Sequence, residues 1–208
     1  DYVIGTHPHS DHIGALPTII TDCNVENVIL PKIDDSDTPT TKIYESLLNA
    51  IADKGLKITS AKVGTSYDLG NATLEIVAPN SSDYSDLNDY SVVTMLTHGD
   101  NKFLLTGDAS DTSEEEMVEN NLLEDVDVLK VGHHGSDTAT SQEFLDIVKP
   151  EYAVIMCGQG NKYNHPCEET MDKLQAISDI EIFRTDLDGT IVATSNGVDL
   201  NFTFENNN

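Results

Sequence analysis

Positive charge is what this sequence has least of. Its 208 residues include 11 lysines and arginines, with Arg184 the only arginine, against 37 aspartates and glutamates, for a formal charge of −26. A surface that acidic repels polyanions over most of its area. Passive nucleic-acid binding is therefore disfavoured, and a polyanionic substrate has to be held locally by metal ions and a few lysines. Long apolar runs are missing as well: none approaches the ~20 residues a membrane-spanning helix needs. The first residues carry no signal-peptide pattern. They open on "DYVIG", an apolar run without an initiator methionine, which predicts a strand already under way in a longer protein. The three cysteines, Cys23, Cys157 and Cys167, have no C-x-x-C spacing, which argues against a disulfide scaffold and against a structural zinc knot. Glycine-rich phosphate loops are also absent: "GQGNKYN" lacks the lysine and hydroxyl of a P-loop, and no G-x-G-x-x-G opens a helix.

What is present is an alternation of apolar runs with turn residues. "DYVIGT" and "VENVIL" read as strands, with a short helix over "HIGALPTIITD" between them. A longer helix follows, with Ile43, Leu47, Leu48 and Ile51 at helical spacing and Gly55 as its stop. Four β-type runs come next, "KITSAK", "ATLEIVAP", "SVVTMLTHG" and "NKFLLTGD", the last two joined by a turn at Gly99, Asp100 and Asn101. Beyond an acidic helix, "DTSEEEMVENNLL", strands and helices alternate up to "IEIFRT", and a hairpin turned by Asn196-Gly197 closes the chain. This order predicts an α/β protein with two sheets sandwiched between helices, one domain over residues 1–204 and a tail over 205–208. The polar stretches 34–40 and 79–89 read as surface loops.

Chemistry concentrates in "GTHPHSDHIGAL", residues 5–16, where His7, His9, Asp11 and His12 fall within six residues. In a segment kept from helix by Pro8, His7 and His9 leave the same face and can grip one ion together. Asp11 and His12 fall at the turn into a helix, with the carboxylate near its positive end, and suit a second ion close by. Imidazole and carboxylate suit zinc, manganese or iron, and spacing does not choose among them. A two-ion site also needs a bridging group and another histidine. "FLLTGDA" sets Asp108 directly after an apolar strand, where a carboxylate can bridge ions ~3.5–4 Å apart. "LKVGHHGS" ends another strand on His133 and His134, neighbours that should point in opposite directions, so that one ligates while the other reaches substrate. "NKYNHP" adds Lys162, Tyr163 and His165, and Lys130 and Arg184 are further single cations able to contact a phosphate.

In this order, "THPHSDHIGAL", "NDYSVVTML", "NKFLLTGDAS", "VLKVGHHGS", "NKYNHP" and "FRTDLDGTI" resemble the metallo-β-lactamase-fold domain of ComEC-type competence proteins and their stand-alone relatives. The resemblance implies the αββα four-layer fold, here without the N-terminal strands such domains normally carry, and a hydrolase centre of two divalent ions, zinc or manganese. It implies His7 and His9 as ligands of one ion, Asp11 and His12 of the other, Asp108 as the bridge and His134 as the remaining ligand. His133 becomes a general acid or phosphate contact, and the roles of His133 and His134 are exchangeable. Family members that cleave lactams, lactones or tRNA carry a further ligand histidine before the bridging aspartate. Here that stretch reads "LNDYSVV", so Asn88, Ser91 or water stands in its place.

That departure makes phosphoester hydrolysis the expected reaction, of the phosphodiesterase or nuclease type, on a phosphoester or single-stranded DNA, with Asp11 and His133 acting on water and leaving group. Lys162 and His165 fall on the substrate side. Lactone or β-lactam hydrolysis, and a non-catalytic metal-binding part of a DNA-uptake assembly, are the alternatives. The resemblance and the acidity together favour an extracytoplasmic setting over a cytoplasmic one, in a protein that is stand-alone or membrane-associated, with no broad nucleic-acid-binding surface.

Overall fold

The computed structural model describes residues 1–34 and 37–206. Strand β1 (Tyr2–Ile4) leads through the histidine-rich segment to two short helices, α1 (Ser10–Ile13) and α2 (Leu16–Asp22). Then come β2 (Asn27–Leu30), α3 (Lys42–Asp53) and β3 (Ile58–Ser60), and the three strands pair in parallel in the order β1-β2-β3. A seven-stranded sheet follows. Its antiparallel half is β4 (Ser66–Leu69), β5 (Ala72–Ala78), β6 (Val93–His98) and β7 (Asn101–Leu105). Strands β8 (Val128–Lys130), β9 (Tyr152–Ile155) and β10 (Glu181–Arg184) extend it in parallel through crossover helices α4 (Asp111–Glu119), α5 (Gln142–Val148) and α6 (Glu168–Gln175). Helix α7 (Thr185–Asp188) and the hairpin of β11 (Ile191–Ser195) and β12 (Leu200–Phe204) complete the described chain.

Strand periodicity explains the layering. In β2, Val28 and Leu30 join Ile13, Ile20, Leu47 and Ile51 beneath the first helices, while Ile29 between them faces the other way, onto Ile76 and Val92. The larger sheet turns Leu104, Leu129 and Ala153 toward Met117 of α4, Phe144 and Val148 of α5 and Leu174 of α6. Helices therefore cover the outer faces of two sheets that meet through Ile29, Ile76 and Val92, which is the expected α/β sandwich of four layers. Truncating a buried leucine of this core, such as Leu104, costs roughly 2–5 kcal/mol.

Several local expectations are corrected. Residues 12–22 form two helices because Pro17 has no N–H to continue the first; it sits instead in the first turn of α2, where none is needed. Strand β4 has only Tyr67 and Leu69 as an apolar pattern and is legible only from its pairing with β5. Segment 79–89 is no simple surface loop. Tyr84 and Tyr90 are buried, the Tyr84 hydroxyl accepts the N–H groups of Asn80 and Ser81 and donates to Glu116, and Asp89 accepts from the Ser110 hydroxyl at 2.5 Å at the start of α4. Glu205 and Asn206 are not a free tail, since their N–H groups bond to Thr190 and Asp188 carbonyls at 2.9 and 3.0 Å. Residues 35 and 36 of the expected loop over 34–40, and residues 207 and 208, lie outside the described residues.

The two predicted turns meet. Gly99, at φ +61°, lies so close to the second hairpin that a Cβ there would stand 2.2 Å from the Gly197 carbonyl oxygen, and Asp100 N–H bonds to that oxygen at 2.8 Å. His98 belongs to this junction, 3.0 Å from the Ser195 hydroxyl.

Candidate metal centre

The other six of the seven histidines gather at one end of the sandwich. Their rings form a continuous chain: His9 to His7 at 4.7 Å, His7 to His12 at 4.1 Å, His12 to His134 at 5.3 Å, His134 to His133 at 6.3 Å and His133 to His165 at 5.7 Å. Three chain segments deliver them: the loop and helix after β1, the turn after β8, and the loop after β9.

Asp108 lies at the middle. It follows β7 through Gly107, whose φ of +57° is strained for any other residue and whose Cβ would stand only 3.1 Å from Thr6 and Ser91. The Asp108 N–H donates to the Ser91 hydroxyl at 3.0 Å, and the Gly107 carbonyl accepts from the Lys130 ammonium at 2.6 Å. His12 Nε2 is 3.0 Å from Asp108 Oδ2, 3.3 Å from His134 Nε2 and 3.6 Å from Asp11 Oδ2. His134 Nε2 is 3.2 Å from Asp108 Oδ2 and 3.4 Å from Asp11 Oδ2. All four donor atoms lie within 4.8 Å of one another. Ligands at ~2.0–2.1 Å around a tetrahedral ion stand about 3.3–3.4 Å apart, so this spacing suits one ion.

His7 and His9 make a separate pair, with His7 Nε2 3.0 Å from His9 Nδ1 and 3.9 Å from Asp108 Oδ2.

Burial and neighbours set the charges. Burial alone would raise the Asp108 pKa, but hydrogen bonds from His12 and His134 and the Lys130 charge outweigh it and hold the carboxyl well below the usual range. His7 is pushed down to about 3 by burial and by neighbouring His12. His134 moves up because the Asp108 carboxylate favours its imidazolium form. His133 and His165 move down through burial. Lys130, almost enclosed behind the aspartate, is pushed down to about 8 by burial, which Asp108 only partly offsets.

Several expected roles change. His133 and His134 do not end a strand with opposed side chains: β8 stops at Lys130, and both residues adopt left-handed backbone, φ 46° and 58°, in a tight turn that presents both rings to one cleft. Ser91 is buried behind His7, 3.2 Å from its Nδ1, and Asn88 is buried with a carboxamide oxygen that has no hydrogen-bond partner among the described residues; neither lines the cleft. Arg184 is engaged by Asp186. Lys162 lies over the Tyr163 ring, and His165 with Tyr163 does line the cleft. A roomier groove at Lys32, Lys62 and Asn80 has no metal-ligating side chain in its lining.

Two supports went unread in the sequence. The Met156 carbonyl accepts from His134 Nδ1 at 2.7 Å, which fixes the tautomer that leaves Nε2 free. Glu114, buried beneath the histidine turn, accepts the N–H groups of Thr140 and Ser141 at 2.6 and 2.8 Å, and burial pushes its pKa up to about 7. Its position inside a run of three glutamates gave no signal of that role.

The chain is similar to known proteins in sequence and fold. Residues 1–159 match the family model described as the metallo-beta-lactamase superfamily. ComE operon protein 3 of Bacillus subtilis is 33% identical over 193 residues, covering 92% of this chain and 24% of that protein. Competence protein ComA of Neisseria gonorrhoeae is 39% identical over 120 residues, covering 56% of this chain and 17% of that protein. The chain thus spans about a quarter or less of the length of these relatives. Among solved structures, CmlA, a diiron beta-hydroxylase from Streptomyces venezuelae, matches with a TM-score of 0.59 at 16% identity, over 88% of this chain and 43% of that one, a likeness of fold alone. With about three quarters of its length matched by the family model, the chain belongs to the metallo-β-lactamase superfamily.

Proposed function

We propose that the chain carries a metal-dependent phosphoester hydrolase site of the phosphodiesterase or nuclease type, using divalent ions such as zinc or manganese on a phosphoester or single-stranded DNA. The observation that carries this reading is the convergence of Asp11, His12, Asp108 and His134 beside a cavity of about 320 Å³ that His133 and His165 also line. Two imidazole nitrogens and two carboxylate oxygens suit such ions. The buried Asp108 Oδ1 has no hydrogen-bond partner among the described residues, as expected of an atom kept for a ligand. Asp11, His12, Asp108 and His134 would hold one ion, and His7 and His9, sharing Asp108, a second.

When bound, divalent ions supply Lewis acidity toward a phosphate oxygen and make water more acidic. Asp11, its side chain 61% exposed at the cleft, orients the attacking water. His133, anchored through Nδ1 to the Thr138 hydroxyl at 3.0 Å, offers its other nitrogen to a phosphate oxygen or the leaving group. Lys130 stays behind Asp108 and positions it. The acidity of the remaining surface favours a small phosphoester or a single strand over duplex DNA, and similarity to a competence protein supports a nucleic-acid substrate.

The test is turnover of bis-p-nitrophenyl phosphate and of short single-stranded DNA by the full chain with added zinc or manganese. Activity lost in both His9→Ala and Asp108→Ala supports the reading. No turnover, turnover of lactones alone, or full activity in both variants overturns it.

A further inference from the structure

We propose that Tyr163 and His165 form a stacking platform for the nucleobase attached to the phosphate at the candidate centre, an inference that rests on the phosphodiesterase reading. Beyond the metal-ligating end of the cleft, a cavity of about 410 Å³ runs from Asp11 and His134 to Met156, Asn161, Tyr163 and His165. Tyr163 stacks on His165, ring centroids 5.6 Å apart and planes 25° from parallel, and remains 63% exposed. A large aromatic ring left in water beside a polar centre is a surface made for a planar partner.

The loop that carries the platform is tied down through its backbone. The Asn161 carboxamide donates to the carbonyls of Gly158 and His165 at 3.0 and 2.6 Å and accepts the N–H groups of Tyr163 and His165 at 3.2 and 3.0 Å. The Cys167 N–H bonds to the Gly135 carbonyl at 2.8 Å, which ties this loop to the turn that carries His133 and His134. The loop backbone is thus tied to the turn beside the candidate centre before a ligand arrives, so little backbone ordering is left to oppose binding. Lys162 places its ammonium 4.8 Å from the Tyr163 ring centroid, one of only 11 basic side chains in a chain of formal charge −26. A phosphate at one end, a π face and a cation at the other describe a nucleotide. An aliphatic phosphoester would leave the aromatic end unused, and a base paired in duplex has no free face to offer.

The test uses 2-aminopurine deoxynucleoside 5′-monophosphate, whose fluorescence is quenched on stacking, against deoxyribose 5-phosphate as the base-free control. The full chain should quench the probe and bind it at least about fivefold more tightly than the control, as base–aromatic stacking energies of ~1–3 kcal/mol require. Tyr163→Phe should keep that ratio, and Tyr163→Ala should bring it close to one. Tyr163 is mostly exposed, and the loop's backbone hydrogen bonds to Asn161 do not depend on its ring. Equal affinity for probe and control in the wild type, or a ratio unchanged in Tyr163→Ala, overturns the platform. Dinucleotide turnover with manganese separates the two ideas: quenching without turnover upholds the platform and overturns the hydrolase reading, whereas turnover with a Tyr163-independent probe ratio overturns the platform alone.

Discussion

The two ends of the histidine cluster are built differently. At one end, Asp11, His12, Asp108 and His134 come from three separate chain segments and bring four donor atoms within 4.8 Å of one another. At the other, His7 and His9 come from a single tripeptide, and His7 Nε2 reaches Asp108 Oδ2 only at 3.9 Å. The first end is completed by tertiary assembly, with Asp108 clamped between Ser91 and Lys130. The second has no third imidazole, because the stretch before Asp108 supplies Asn88 and Ser91 instead. One short motif therefore feeds two donor sets of unequal completeness, and the proposed two-ion reading expects one tightly held ion and one weakly held ion.

Asp108→Asn should break the stronger end most severely. It replaces the carboxylate that both His12 and His134 contact with a neutral amide, and because even outer-shell losses cost about 10–100-fold in metal affinity, zinc binding should fall by about 100-fold or more. Competition against a chromophoric chelator reads this directly, and a fall of less than about tenfold would show that Asp108 does not hold the ion. Next in size is a stoichiometry contrast. His134→Ala should abolish the high-affinity equivalent, whereas His9→Ala should leave it nearly unchanged and remove only the weaker one; the reverse pattern would invert the ranking of the two ends.

The ends should also differ in proton release. The His134 pKa is raised by its hydrogen bond to Asp108, so in the metal-free protein this pairing stabilises the fold below the usual histidine pKa and is lost as pH rises through the raised value. An ion at this end must displace that proton, so zinc affinity should rise as pH increases from the usual histidine range through the raised value. His7, held down to about 3, is already neutral in that range and has no proton to release. Calorimetry in two buffers of different ionisation heat counts the protons, and an absence of release on filling the tight site would contradict the assignment of His134.

The strong and weak ends also differ in how far the sequence displays them. His7, His9, Asp11 and His12 are local, and Asp108 stands at the end of an apolar strand, so their chemistry shows in spacing alone. The same holds for the layers, since β2, β7, β8 and β9 carry short apolar runs. What stayed hidden depends on contacts between distant residues. Ser91 lies 84 positions from His7 and reads as a stand-in for a missing ligand at the head of a β-type run, yet it is fully buried behind that ring. Segment 79–89 reads as solvated because its polar side chains are numerous, but several of them are consumed by buried backbone and carboxylate partners. The left-handed backbone of His133 and His134 cannot be anticipated from residue types that seldom adopt it; Gly135 beside them, pressed against Pro166, shows how tightly the turn is packed.

Ser91 offers the finest test of whether the two ends are separable. Its hydroxyl oxygen faces His7 Nδ1 at 3.2 Å and accepts the Asp108 N–H at 3.0 Å, so it touches both ends at once. For His7 Nε2 to ligate, Nδ1 must carry the proton, and the acceptors in reach are Ser91 and Thr6, whose hydroxyl is also 3.2 Å away. Ser91→Ala leaves that proton to Thr6 alone, within a pocket where His7 is 1% exposed and water cannot readily substitute. The weak end should lose about tenfold in affinity, at the lower margin of outer-shell effects. Asp108 loses one backbone hydrogen bond, yet Lys130 and the His133 N–H still hold the Gly107 carbonyl beside it. The tight end should therefore change less than the weak one. Equal losses at both would mean that Ser91 acts mainly through Asp108, and that the two ends form one cooperative unit rather than a strong site and a weak neighbour.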